Sequence, residues 1–262
     1  MVELADIHPQ KSQQLHTSIR ITTDGLSFYA RDKESSALLV SFSTPFPEST
    51  LSLSLSEQVK EVLFLHTPLS LPFHSTKIFV EPLEVMLMPE ELSQKSTLGF
   101  TQHALTEDAE EKKELILRIP HNGGMAMSFS MDEPLYSLGL RSFSNPSYHH
   151  ILAELIRQSV EASLTTGSKV VHAAFSGGSL NVAAAEQGKL LLGNSVIAPH
   201  AEDAIYHLTR IWRGLGMNAH NDSLTLWAEG ADSPTLSLYF GERIKEYTAY
   251  TSPEEICHLY LQ

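Results

Sequence analysis

Between Lys169 and Glu229 the apolar residues recur first at every second position, then at three- and four-residue steps, then at every second position again. Few chain plans fit that change of period. Lys169-Val170-Val171-His172-Ala173-Ala174-Phe175 carries the β-branched and apolar residues of a strand and stops at Ser176-Gly177-Gly178. Two glycines accept positive φ at both central positions of a tight hairpin, so Leu180–Ala185 is expected to return antiparallel. Gln187-Gly188 turns the chain into a third strand over Lys189–Ala198, closed by Pro199. Ile205, Leu208, Ile211, Trp212 and Leu215 then mark a helix with one buried face. Glu202 and Asp203 suit its first turn, and Gly214 and Gly216 its end. Leu224–Ala228 reads as a fourth strand.

The earlier part of the chain follows the same order. Ser18–Thr23 alternates as a strand, Asp24-Gly25 turns it, Leu26–Ala30 alternates back, and Ala37–Phe42 makes a third strand after a turn at Asp32–Ser35. Leu51, Leu55, Val59, Val62 and Leu63 have helical spacing, and Lys77–Glu81 is a strand. The Asp24-Gly25 turn precedes Gly177-Gly178 by about 153 positions and the Ile78 strand precedes that at Leu224 by about 146, which points to a duplicated architecture.

Between the copies, Met86–Leu92 reads as a strand end running into a short helix with Pro89 in its first turn, and Thr106–Lys113 as a charged loop. Leu115–Ile119 and Met125–Phe129 flank Asn122-Gly123-Gly124 as a hairpin. Tyr148, Ile151, Leu152, Leu155, Ile156 and Val160 stripe a helix beginning beyond Asn145-Pro146. These divisions give a first subdomain over 15–146, including the hairpin near 115–130, and a second over 147–262. Residues up to about Gln14 are expected to be a frayed arm. The tail offers a helical turn over Leu236–Gly241, a strand over Ile244–Ala249 and a short polar-apolar end.

The 31 acidic against 18 basic residues give a formal charge of -13 with no basic cluster, which argues against nucleic acid as a partner. A lone cysteine, Cys257, excludes an intramolecular disulfide and a cysteine-based zinc site, and fits a reducing cytoplasm. The acidic, proline-containing start is unlike a signal peptide, and no apolar run approaches the roughly 20 residues of a membrane span.

No nucleophile elbow, phosphate loop, zinc-protease or dinucleotide motif occurs, so no catalytic residue is assigned. Adjacent His149 and His150 diverge on a helix, and His200 and His207 lie too far apart to share an ion unaided, so no metal site is assigned either. His172 and Ser176, on one face of a strand, lack a third group to orient them as base and nucleophile.

Asp24-Gly25-Leu26-Ser27-Phe28, Gly188–Ser195, Asp203–Leu208 and Trp212–Met217 resemble the bacterial domain-of-unknown-function family 3822. The order of elements from Ser18 to Ala249 resembles the actin-like ATPase superfamily of sugar kinases, heat-shock-cognate chaperones and actin. That resemblance implies an α/β fold of two tandem ribonuclease H-like subdomains around a cleft, each a mixed sheet with a three-stranded meander and covering helices. It also implies that the first hairpin of each half grips nucleotide phosphates. Asp24 and Gly25 match the first phosphate hairpin. Gly177 and Gly178 keep backbone donors in the second, where the expected acid is missing. Gly230 is one of the two glycines expected at the adenosine turn, flanked by Glu229 and Asp232.

These five residues outline a degenerate nucleotide cleft. The expected function is a non-catalytic interaction or scaffold protein of the cytoplasm with a protein partner and no cofactor. The alternative is an ATPase or phosphotransferase using ATP and magnesium.

Overall fold

The computed structural model describes residues 3–82, 84–93, 112–119 and 124–261. The Asn122-Gly123 turn and most of the expected charged loop over 106–113 lie outside them, while Lys112 and Lys113 begin a strand. The first sheet contains β1 (Leu15–Ile21), β2 (Gly25–Asp32), β3 (Leu38–Pro45), β4 (Ser75–Val80) and β8 (Pro146–His149) in the order β3-β2-β1-β4-β8. The second contains β9 (Lys169–Ser176), β10 (Ser179–Glu186), β11 (Lys189–Ile197), β12 (Ser223–Ala228) and β13 (Glu246–Tyr250) in the order β11-β10-β9-β12-β13. In each, the first three strands run antiparallel and the last two parallel to the first. Ile21 pairs with Val80 as Phe175 pairs with Ala228, so the duplication extends to register. The expected pair of mixed sheets, each with a three-stranded meander, is present. A smaller sheet, β5-β7-β6, holds β5 (Val85–Pro89), β6 (Lys112–Ile119) and β7 (Met125–Asp132).

Among the described residues the α-helices are α1 (Pro9–Ser12), α2 (Leu55–Leu65), α3 (Glu133–Ser142), α4 (Ile151–Thr166), α5 (Ala201–Gly214), α6 (Ser233–Gly241) and α7 (Pro253–Tyr260). α2 starts where the Ser54 hydroxyl accepts from Glu57 N at 3.4 Å and Ser54 N donates to the Glu57 carboxylate at 3.1 Å, a reciprocal cap. α4 covers β9, β10 and β11 and buries Ile151, Leu152, Leu155 and Ile156 completely. The second sheet is apolar on both faces. Ala174, Ala183 and Ala185 face the core shared with the first half, and Val171, Ala173, Phe175, Leu180 and Val182 face a second core under α5 and α6. That two-sided burial explains the nearly unbroken apolar runs of β9 and β10.

Several expectations change. Tyr148 belongs to β8, not to the helix, because Pro146 begins a strand parallel to β4 and the helix starts at Ile151. Leu51 lies before α2 and is exposed. Pro89 ends β5, and a 3-10 turn over Glu90–Ser93 follows. The N-terminal arm is anchored by buried Ile7 and Ser12, whose hydroxyl donates to the Pro72 carbonyl at 3.1 Å. α5 buries Ala201, Ala204 and Leu208, while Ile205, Trp212 and Leu215 are half-buried at the margin of the core. The tail keeps its expected helical turn and strand in α6 and β13, but the end beyond them is a further helix. In α7, Ile256, Cys257, Leu259 and Tyr260 join the core of the first half.

Candidate functional site

Both hairpin turns open onto one cleft of about 540 Å³ between the halves. Thr22 and Thr23 of the β1–β2 turn form one lip and Ser176–Ser179 of the β9–β10 turn the other. The turns approach closely, since a Cβ placed on Gly177 would sit 3.8 Å from Thr23 Oγ1. Gly177 and Gly178 adopt φ of +56° and +73°, the left-handed pair that lets two residues reverse the chain. Leu55, Met131, Leu135 and Ile197 contribute apolar walls, and Glu81, Glu84, Lys112 and Asp132 contribute charge.

The other sequence-derived candidates sit elsewhere. Asp24 is exposed just beyond Thr22 and Thr23, and its carboxylate accepts from the Thr22 hydroxyl at 2.5 Å. Gly25 has a reason of its own: a Cβ there would lie 2.5 Å from the Thr44 carbonyl oxygen of the paired strand. Gly230, at φ +83°, opens the loop from β12 to α6, and a Cβ there would meet nothing within 4 Å. Of the five, Gly177 and Gly178 line the cleft.

Behind the cleft lies a group of side chains that the sequence analysis did not single out. Arg20, mid-strand in β1, is buried with its side chain 3% exposed. Its Nε donates to Glu81 Oε1 at 2.7 Å, its Nη1 to Glu229 Oε2 at 2.5 Å and its Nη2 to the Ser176 hydroxyl. Tyr260 of α7 places its ring 5.1 Å from the guanidinium carbon and donates its hydroxyl to Glu81 Oε1 at 3.3 Å. Burial opposes the arginine's charge most strongly, yet Glu81, Tyr260 and Glu229 together hold its pKa well above the ordinary value. Burial likewise pushes the Tyr260 hydroxyl well up, so it stays a donor. Arg20 and Glu81 belong to the first half, Ser176 and Glu229 to the second. One guanidinium therefore ties the two sheets together beneath the turns. The available signal was the recurrence of a glutamate one residue past the fourth strand of each half, Glu81 and Glu229.

Ser176 and His172 have separate partners. The serine hydroxyl accepts from Arg20, while the His172 ring packs edge-on against Trp227 at 5.5 Å, its pKa lowered to about 4 by burial. His200 N donates to the Asp203 carboxylate at 3.1 Å at the start of α5. Among the described residues no three His, Cys, Asp or Glu side chains converge as a metal site would require, and no helix is long and apolar enough to cross a membrane.

The sequence profile of a family described as protein of unknown function (DUF3822) matches residues 5–247. The chain belongs to that family. A Bacteroides thetaiotaomicron protein with actin-like ATPase fold and unknown function superposes with a TM-score of 0.81 at 23% identity, covering 97% of this chain and 98% of the other. A chain of the PilM-PilN type IV pilus biogenesis complex superposes with a TM-score of 0.61 at 11% identity, covering 94% of this chain and 93% of the other. At these identities the likeness is one of fold. No curated protein sequence matches the chain.

Proposed function

We propose that this member of the family is a non-catalytic actin-like domain acting in the bacterial cytoplasm as an interaction or scaffold protein, with another protein as its partner and no nucleotide cofactor. The observation that carries this reading is the Arg20 bridge. A guanidinium that would offset phosphate charge is instead committed to Glu81 and Glu229, buried behind the turns. The residues in the cleft fit a magnesium nucleotide poorly. The second turn, Ser176–Ser179, has no carboxylate to hold metal-bound water, and the Asp24 carboxylate turns to its own neighbour Thr22. Lys112, a cation on the cleft wall, is paired with Glu84 at 3.1 Å, and Asp132 stands on the same wall. Toward an anion the cleft offers backbone donors at Gly177 and Gly178 and hydroxyls such as those of Thr23 and Ser130, but Lys112 is the one cation among its described lining residues. The whole-length likeness to a chain of a pilus biogenesis complex accords with a role in assembly.

Thermal unfolding with and without ATP and magnesium tests the reading. A ligand at about 100 times its dissociation constant adds roughly 2.7 kcal/mol to the native state. Each kcal/mol moves the midpoint about 2 to 4 °C at this size. No shift is expected. A rise of roughly 5 °C or more, abolished by Asp24→Ala, would replace the proposal with the nucleotide-binding ATPase or phosphotransferase alternative.

A further inference from the structure

We infer that the cleft receives a short extended segment of a partner protein carrying a lysine or arginine among apolar residues. This rests on the interaction-protein reading and assigns it a site and a partner chemistry. Four observations converge.

The first is an orphaned donor. Ser130, on β7, is 8% exposed and lines the cleft, and its buried hydroxyl has no hydrogen-bond partner among the described residues. A shielded hydroxyl left unpaired is costly unless a ligand completes it. The second is charge. Asp132 lies two residues further along β7 on the same wall, exposed, and as the residue before α3 its side chain makes no capping bond. Glu84 and Lys112 offset one another, and the buried Arg20 is shared between two glutamates, so the cleft is left with a negative balance that favours a cation.

The third is the apolar wall. Ile197 is 64% exposed at the cleft, opposite Leu55 and Leu135, and an aliphatic segment would cover it. The fourth favours a peptide over a small amine. Ile197 ends β11, which is the outer strand of its sheet, so no strand among the described residues pairs with its free side. An extended segment can take up such backbone groups while its side chains enter the cleft.

The test is selection of a displayed random octapeptide library against the full chain. The enriched peptides are then synthesised and their affinity measured by fluorescence anisotropy for wild type, Ser130→Ala and Asp132→Asn. Enriched sequences are expected to carry a basic residue flanked by aliphatic ones. Their affinity should fall with salt and drop at least about threefold in each variant, the scale of one hydrogen bond or one exposed charge pair. Ser130→Ala removes an unpaired buried hydroxyl, so its unfolding midpoint should match or exceed wild type, which separates lost binding from lost folding. Peptides that bind both variants unchanged would overturn the cleft assignment and leave the interaction reading standing with its surface elsewhere. Enrichment of sequences without basic residues, or no enrichment, would overturn the proposed partner chemistry. Stabilisation by ATP and magnesium would instead remove the interaction reading itself.

Discussion

Removing the Arg20 guanidinium would leave Glu81, 8% exposed at its side chain, without its counter-charge and Glu229 without its link to the first half. Breaking a buried pair from one side costs about 3 to 5 kcal/mol, and Arg20→Met should lower unfolding stability in urea by that amount. A loss below about 1 kcal/mol would show that the bridge contributes nothing net. A different residue sets the response to acid. His172 is neutral in the fold, with its pKa lowered to about 4, whereas the unfolded chain titrates near 6.5. The unfolded state therefore binds more protons between those values, and stability falls as pH drops from 6.5 toward 4, by at most about 1.4 kcal/mol per pH unit from this group. His149, lowered to about 4 by burial and by Lys77, acts in the same direction. Replacing His172 with Asn should flatten the dependence measured by urea unfolding at pH 5 and 7; an unchanged slope would mean that this ring is not a source of it. Gly25→Ala should destabilise the protein with no ligand present, because the added methyl meets a main-chain oxygen.

At the scale of elements, α7 and α5 make opposite cases. Tyr260 is 1% exposed, lies 5.9 Å from the Tyr29 ring in a stacked pair and meets Phe79 edge-on at 5.1 Å. Tyr260→Ala should cost about 3 to 5 kcal/mol in chemical unfolding. Trp212→Ala should cost less than that, because Trp212 is half-buried at the edge of its core. Equal losses would contradict the burial of the two rings. These helices also show what the sequence made legible. Both meanders, α2, α5 and the glycine turn came from periodicity and turn chemistry, since each half-buried element writes its own pattern. α7 had a local signal that was not used, the reciprocal cap in which Glu255 N donates to the Ser252 hydroxyl at 3.3 Å and Ser252 N to the Glu255 carboxylate at 3.1 Å; its place in the core depends on distant partners, Ser18 donating to the Tyr260 carbonyl at 2.8 Å. α3 is harder to read because Gly139, whose Cβ would crowd the Tyr148 hydroxyl, weakens its interior, although Pro134 in its first turn is a helix-start signal. At the cleft, the glycine turn could be read locally, whereas Glu81 and Ser130 in its wall and Arg20 behind it acquire their significance only when strands distant in sequence come together.

Over the whole molecule, the boundary at 146/147 remains our proposed division between the two repeated plans. It does not divide the core. Ala174, Ala183, Ala185 and Trp227 of the second sheet pack into the same core as Ile19 and Phe28 of the first, and α7 returns to it from the far end of the chain. Residues 147–262 expressed alone should therefore lack a cooperative thermal transition, while the full chain shows one. A sharp transition in the fragment would mean that the second half is self-sufficient.

The equivalence of Glu81 and Glu229 places the two repeats under a constraint of symmetry. Both glutamates bond the same guanidinium, that of Arg20. The position in β9 that corresponds to Arg20, judged by the pairing of Arg20 with Phe79 and of Ala174 with Trp227, is filled by an alanine. A duplicated chain can keep its strands alike wherever the copies are apart. Where both glutamates turn to one cation the likeness ends, with one copy supplying the charge and the other an alanine.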